Sequence, residues 1–336
     1  MLTNVLLFAL GFVLLIVGGD KFVDGATGVA KRYHIPELLI GATVVSIGTT
    51  LPEVMVSATS AAKGIGDIAY GNAIGSIICN TSLIAAITVA IKPAPVGKKD
   101  LIKPVIFFFV TALFYAAVSY MTGYFSRVTG IILLLIFIVY MIINVKDALK
   151  GNAEHTESSP DEGEKAESSD EKSGAGSFKD SIIYDLLMIV IGATLITIGA
   201  NLLVDNGTII ATALGVPTSV IALTFVALGT SLPELVTAIT SLVKGHGALS
   251  LGNVIGANLF NLVLVSGLSI TIQPFSIPVE KTIAGMNASL VVDIPVMLSV
   301  MAILTIPSII RGKLARIQGI LLLAIYAGYV VFQFAL

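Results

Sequence analysis

Gly48-Thr49-Thr50-Leu51-Pro52-Glu53 and Gly229-Thr230-Ser231-Leu232-Pro233-Glu234 are near-copies of one acidic motif. Each lies in an apolar stretch long enough to cross a bilayer, where an unpaired charge costs about 2.5 to 3.5 kcal/mol or more. Glu53 and Glu234 therefore require a cationic visitor. Pro52 and Pro233 have no N–H, so the carbonyls of Gly48 and Gly229 lose their helical partners, and each helix is expected to be interrupted beside its glutamate. Freed carbonyls, the hydroxyls of Thr49, Thr50, Thr230 and Ser231, and two carboxylates form an all-oxygen donor set. Such a set suits hard cations such as Ca2+ and Na+, while the lack of nearby His or Cys ligands argues against zinc or copper. Further oxygens follow Gly71-Asn72-Ala73-Ile74-Gly75 at Ser76 and Asn80, and follow Gly252-Asn253-Val254-Ile255-Gly256 at Asn258 and Asn261. The small residues let helices approach closely, so packing with interhelical hydrogen bonds is the alternative use of these glycine and asparagine blocks.

The elements that must hold these residues are membrane helices. With 56% hydrophobic residues, 12% charged and a mean hydropathy of +0.98, the 336-residue chain is too apolar for a soluble domain. The pattern predicts an all-α polytopic membrane protein with ten spans, at 3–29, 38–62, 68–91, 102–121, 128–148, 181–211, 217–243, 248–272, 287–309 and 314–334. The first span is read as a membrane helix and not as a removable signal, since no basic residue precedes Val5 to Val17 and no clear cleavage site follows. With the N-terminus outside, sixteen of the nineteen lysines and arginines fall in inner loops, which leaves Lys63, Arg127 and Lys281 outside. Both termini are thus expected outside. Residues 151–177 hold 8 of the 21 acidic residues, lack a calcium-binding loop pattern, and are expected to be a disordered linker on the inner face. Cys79, the only cysteine, reads as core. His34, His155 and His246 lie in loops without metal-ligand neighbours, Asp24 and Asp205 read as interfacial caps, and Asp293 reads as the opening of a helix before Pro295.

The two halves are copies. One offset of 181 residues superposes Gly18 on Gly199, Asp24 on Asp205, Pro36 on Pro217, the two acidic motifs, the two glycine and asparagine blocks, and Asn80 on Asn261. Five spans per copy place the second copy upside down relative to the first, an architecture of secondary transporters whose ion sites lie near the midplane between repeats. The expected organisation is a first repeat over 1–150 with its motif region at 41–91, a linker over 151–178, and an inverted second repeat over 179–336 with its motif region at 222–272.

These paired motifs resemble the two alpha repeats of the cation/calcium exchanger superfamily, and most of all its prokaryotic sodium/calcium exchangers. The resemblance implies ten helices in two inverted five-helix repeats and ion sites between helices 2, 3, 7 and 8, with helices 1 and 6 sliding across that core. It implies Glu53 and Glu234 as Ca2+ ligands shared with Na+, and oxygens from Thr49, Thr50, Thr230, Ser231, Ser76 and Asn80. It also implies Na+ contacts from the backbone carbonyls of Ser46 and Ala227. Two positions depart from the pattern: Ala257 is the mate of Ser76, and Asn261 stands where relatives often carry an aspartate. The expected function is an antiporter in the cell membrane that moves Ca2+ outward on inward Na+ flow, with Ca2+, Na+ and the bilayer as partners and neither cofactor nor nucleic acid. A Ca2+/H+ exchanger is the alternative. A cation channel is the second class, disfavoured because the inverted pair builds a site within one chain. An enzyme is not expected, since no nucleophile–base pair or metal triad accompanies the glutamates.

Overall fold

The computed structural model describes residues 2–93, 95–157, 181–214, 229–279 and 282–335. Ten helices follow in order: α1 (Leu2–Arg32), α2 (Glu37–Ala62), α3 (Gly66–Ile91), α4 (Lys98–Thr122), α5 (Arg127–Glu157), α6 (Ile182–Ala213), α7 (Leu232–Val243), α8 (Gly247–Ile272), α9 (Ser289–Arg311) and α10 (Arg316–Ala335). Among the described residues nine of them are long and apolar enough to cross a membrane, and α7 is the shorter apolar one. The first ten or more residues expected for the seventh span, 217–228, lie outside the described residues.

The enclosed and peripheral helices divide sharply. The apolar windows of α3 and α8 are 72% and 78% buried, against 22% for α1 and 17% for α10, so the polar residues of the motifs sit on the helices best shielded from lipid. One apolar cluster runs through α3, α4, α5, α8 and α9. A second joins α1 and α6 to Ile40, Val45 and Leu249. Small residues draw α1 and α6 together: a Cβ on Gly11 would lie 2.9 Å from the Gly199 carbonyl oxygen, and one on Gly18 would lie 2.9 Å from that of Gly192. Seven residues separate Gly11, Gly18 and Gly25 in turn, so one face of α1 is bare backbone against its partner. Both ends of the pair are tied, by Asn4 Nδ2 donating to Asn206 Oδ1 at 3.2 Å and by Arg32 Nε on Asp185 Oδ2 at 3.1 Å.

Short connections fasten the opposite faces. β1 (Tyr124–Phe125) pairs antiparallel with β2 (Phe275–Ser276), with Phe125 opposite Phe275, and joins the α4–α5 turn to the chain after α8. On the other face the Val96 amide donates to the Gly312 carbonyl at 3.0 Å, which joins the α3–α4 and α9–α10 turns.

Three expectations change. α2 is not interrupted at its proline: the helix over Ser46–Ala62 contains Pro52, and the irregularity is a widened π-helical turn at Gly41–Val45, just before the motif. The proline removes one bond, that to the Gly48 carbonyl, and the helix continues through it over Ser46–Ala62. In the second half the break is present, because Pro233 sits in the first turn of α7, where its missing N–H has no helical acceptor to lose. Residues 151–157 of the expected linker are helical, as the last two turns of α5. Ala153, Glu154 and Glu157 favour helix, and charge by itself does not stop one. Residues 158–180 lie outside the described residues. Asp293 stands where the π-helical turn Ser289–Asp293 passes into the α-helix Ile294–Arg311, but its side chain does not cap that helix: Oδ1 accepts from Tyr329 Oη at 3.1 Å and from Gln333 Nε2 at 3.0 Å on α10.

Candidate cation site

α2 and α8 carry the first half of the site by crossing without side chains between them. A Cβ on Gly252 would lie 2.1 Å from the Leu38 carbonyl oxygen, and one on Gly256 would lie 2.3 Å from Ser46 Oγ. That approach brings Asn253 against the motif of α2. Thr49 Oγ1 donates to Asn253 Oδ1 at 3.1 Å, and Ser46 Oγ donates to the Asn253 carbonyl at 2.9 Å and to that of Gly41 at 2.7 Å. In the widened turn at Gly41–Val45 the Gly41 carbonyl accepts from both the backbone N–H and the hydroxyl of Ser46.

The same arrangement recurs across the offset. Thr230 Oγ1 donates to Asn72 Oδ1 at 3.3 Å, as Thr49 does to Asn253. Asn72 Nδ2 in turn donates to the Glu53 carbonyl at 3.2 Å and to Ser57 Oγ at 2.8 Å, which fixes the turn of α2 that carries the glutamate. Asn72 and Asn253 were not among the site residues expected from sequence. Their identity at the 181-residue offset was the available signal.

Between these crossings lie Glu53 and Glu234, each with no exposed surface. None of their four carboxylate oxygens has a hydrogen-bond partner among the described residues, and neither do Thr50 Oγ1, Ser231 Oγ, or the side-chain amides of Asn80 and Asn261. The two carboxylates are near enough to repel each other, and Glu234 lies beside the Thr49 and Thr50 hydroxyls. Buried polar atoms without partners are rare in native proteins and mark a missing ligand, ion or water. Two negative charges and neutral oxygens match the charge of one divalent cation, which would leave no net charge in low dielectric.

The expected residues are therefore gathered unevenly. Glu53, Glu234, Thr49, Thr50, Ser231, Asn80, Asn261 and Ser76 are all buried, and the fold brings Glu53 to Glu234 and Glu234 to Thr49 and Thr50. Thr230 is half-buried and reaches the cluster through Asn72. The Ser46 carbonyl accepts from Thr49 Oγ1 at 3.4 Å, within the same turn. Ala227 lies outside the described residues. Asn258 turns its amide to Thr81 Oγ1 at 2.7 Å, and its oxygen is unpartnered. Asn80 and Asn261 each open a π-helical segment, Asn80–Ala85 and Asn261–Ser266.

Known proteins share this arrangement. The sodium/calcium exchanger protein family matches residues 3–146 and 184–335. An uncharacterized membrane protein of Methanocaldococcus jannaschii is 34% identical over 325 residues, 95% of this chain and 94% of its own length. The sodium/calcium exchanger MaX1 of Methanosarcina acetivorans is 30% identical over 366 residues, 98% of each chain. Among solved structures, the sodium-calcium exchanger NCX_Mj soaked with Na+ and Ca2+ superposes with a TM-score of 0.79 at 30% identity, covering 98% of both chains. The motifs, the ten-helix fold and these matches agree over nearly the full length, and the chain belongs to the sodium/calcium exchanger protein family.

Proposed function

We propose that this protein is a secondary antiporter that exchanges Na+ for Ca2+ by alternating access and extrudes Ca2+ from the cell. The observation that carries the reading is the pair Glu53 and Glu234, fully buried with all four oxygens unpartnered among the described residues. Ca2+ takes 6 to 8 oxygens, and the two carboxylates with Thr50, Ser231, Asn80 and neighbouring carbonyls supply that kind of donor set. Thr49, Thr230, Ser76, Asn261 and the carbonyls of Ser46 and Ala227 complete the assignment as contacts for Ca2+ or Na+. One Ca2+ balances both charges, so Na+ enters only as Ca2+ leaves; that mutual exclusion is what couples the two fluxes.

The supporting architecture is a first repeat over 1–150 and an inverted second repeat over 179–336, joined by 151–178. The positive-inside distribution of lysine and arginine supports a cell-membrane protein with both termini outside and 151–178 in the cytoplasm. Neither a resident cofactor nor an enzymatic step enters the cycle.

Reconstituted vesicles test the reading. Uptake of radioactive Ca2+ is expected when the vesicles are loaded with Na+ and diluted into choline, with no uptake when Na+ is equal on both sides. Uptake driven by a pH gradient without Na+ would replace this reading with Ca2+/H+ exchange.

A further inference from the structure

The two seams between the α1/α6 pair and the motif helices differ in this structure. On one face, α1 is pinned to the end of α7. Lys244 Nζ lies 2.6 Å from Asp20 Oδ1 and 2.6 Å from Asp24 Oδ1, and also donates to the Asp20 carbonyl at 3.1 Å. Just beneath, α1 and α7 touch closely: a Cβ on Gly19 would lie 2.7 Å from Val236 Cγ1 and 2.8 Å from Thr240 Oγ1. This seam is shut.

The 181-residue offset carries Lys244 to Lys63, Asp24 to Asp205 and Asp20 to Asn201. At that second seam, between α6 and α2, the structure holds a cavity of about 500 Å3 instead of a contact. Asn201 and Asp205 line it, and Thr230 and Pro233 bring it to the turn next to Glu234. Lys63 and Asp205 are both exposed, and neither has an ion pair with a described residue.

We propose that Lys63 is the unengaged counterpart of Lys244, pairing with Asp205 once the α6/α2 cavity has closed and the Lys244 contacts have parted. The two lysines then set which face of the cation site is open. The inference rests on the exchanger reading above and adds to it a pair of access-setting residues outside the ion site. Because α1 and α6 are locked to each other by bare-backbone contacts and tied at both ends, a shift that closes one seam must loosen the other. The arms are also unequal. Lys244 meets two carboxylates where Lys63 has Asp205 and the neutral Asn201, which favours the state seen here, with the cavity open.

The test reads the cavity directly in the full chain, reconstituted in liposomes. With Cys79→Ala removing the only cysteine, Thr197→Cys places a thiol on the cavity wall, where a maleimide reports how often the cavity is open. Lys244→Ala is expected to slow labelling roughly two- to five-fold, the population change that an ion pair of partly exposed partners carries. Adding Lys63→Ala to Lys244→Ala is expected to return the rate toward its starting value. Asn201→Asp alone is expected to slow labelling in the same direction as Lys244→Ala. If Lys244→Ala yields too little folded protein, Asp20→Asn with Asp24→Asn removes both carboxylates that Lys244 meets and carries the same expectation. The proposal is overturned if releasing Lys244 leaves labelling unchanged, or if removing Lys63 from that background restores nothing. The readout does not depend on which ion is carried. Failure here with Na+-driven Ca2+ uptake intact rejects the lysine pair alone, whereas loss of that uptake with this labelling pattern intact rejects the exchanger reading alone.

Discussion

Glu53 and Glu234 occupy equivalent places in the two halves, yet the scaffold behind them is not equally satisfied. Behind Glu53, Asn72 uses its whole side chain: it accepts from Thr230 and donates to the Glu53 carbonyl and to Ser57. Behind Glu234, Asn253 accepts from Thr49, but its amide nitrogen is buried without a partner among the described residues, and the residue that matches Ser57 is Ala238. α2 also runs through its proline, whereas α7 begins beside it. A duplicated frame therefore keeps its acids and its cross-half threonine–asparagine contacts while the supporting bonds drift.

The largest expected effect removes a charge from the shared part. Glu53→Gln and Glu234→Gln should each reduce Ca2+ uptake to background while folded protein still accumulates, because a buried charge has been exchanged for an isosteric neutral group. Appreciable uptake in either variant would show that the two halves do not contribute equally.

Next comes the close crossing of α2 and α8. Gly252→Ala places a methyl 2.1 Å from the Leu38 carbonyl oxygen and should lower the yield of folded protein, with a cost at or above the usual 1 to 3 kcal/mol of overpacking. Thermal unfolding in detergent measures it, and an unchanged melting temperature would contradict the contact.

A smaller effect separates the asparagines. Asn72→Ala strands the Ser57 and Thr230 hydroxyls and should destabilise by about 1 to 3 kcal/mol. Ala238→Ser offers Asn253 the hydroxyl that Ser57 offers Asn72, and should raise stability by about 1 kcal/mol or less. A destabilised Ala238→Ser would mean that the asymmetry is fixed by packing and not by hydrogen bonding.

The smallest effect is expected from K+. Asn261 brings an amide where an aspartate would add a third charge, so K+ has no uncompensated carboxylate to balance. Replacing K+ with choline should leave Ca2+ uptake unchanged, and a collapse of uptake would overturn the two-charge description of the site.

Much of this was legible in the sequence because it is written in composition and repetition. Apolar runs of bilayer length place α1 to α6 and α8 to α10 within a few residues of their observed bounds, except that α5 runs nine residues past the expected 148, and the offset identifies both acidic motifs. The remainder depends on three-dimensional approach. Pro52 reads as a break, yet whether a helix tolerates one lost bond is decided by what packs on it. Asn72 and Asn253 look like packing residues until the glycine crossing shows which hydroxyls they meet. Lys244 is far in sequence from Asp20 and Asp24, and nothing in its local spacing ties it to them. Asp293 precedes a proline, but its partners Tyr329 and Gln333 lie on another helix.

The central claim is that one carboxylate from each half holds the same Ca2+. Equilibrium binding of radioactive Ca2+ to the purified protein tests it most directly, in the unmodified chain and in Glu53→Gln and Glu234→Gln. Saturable binding that Na+ displaces, lost in both variants, is the expected result. Ca2+ binding that survives intact in either variant would contradict a shared site.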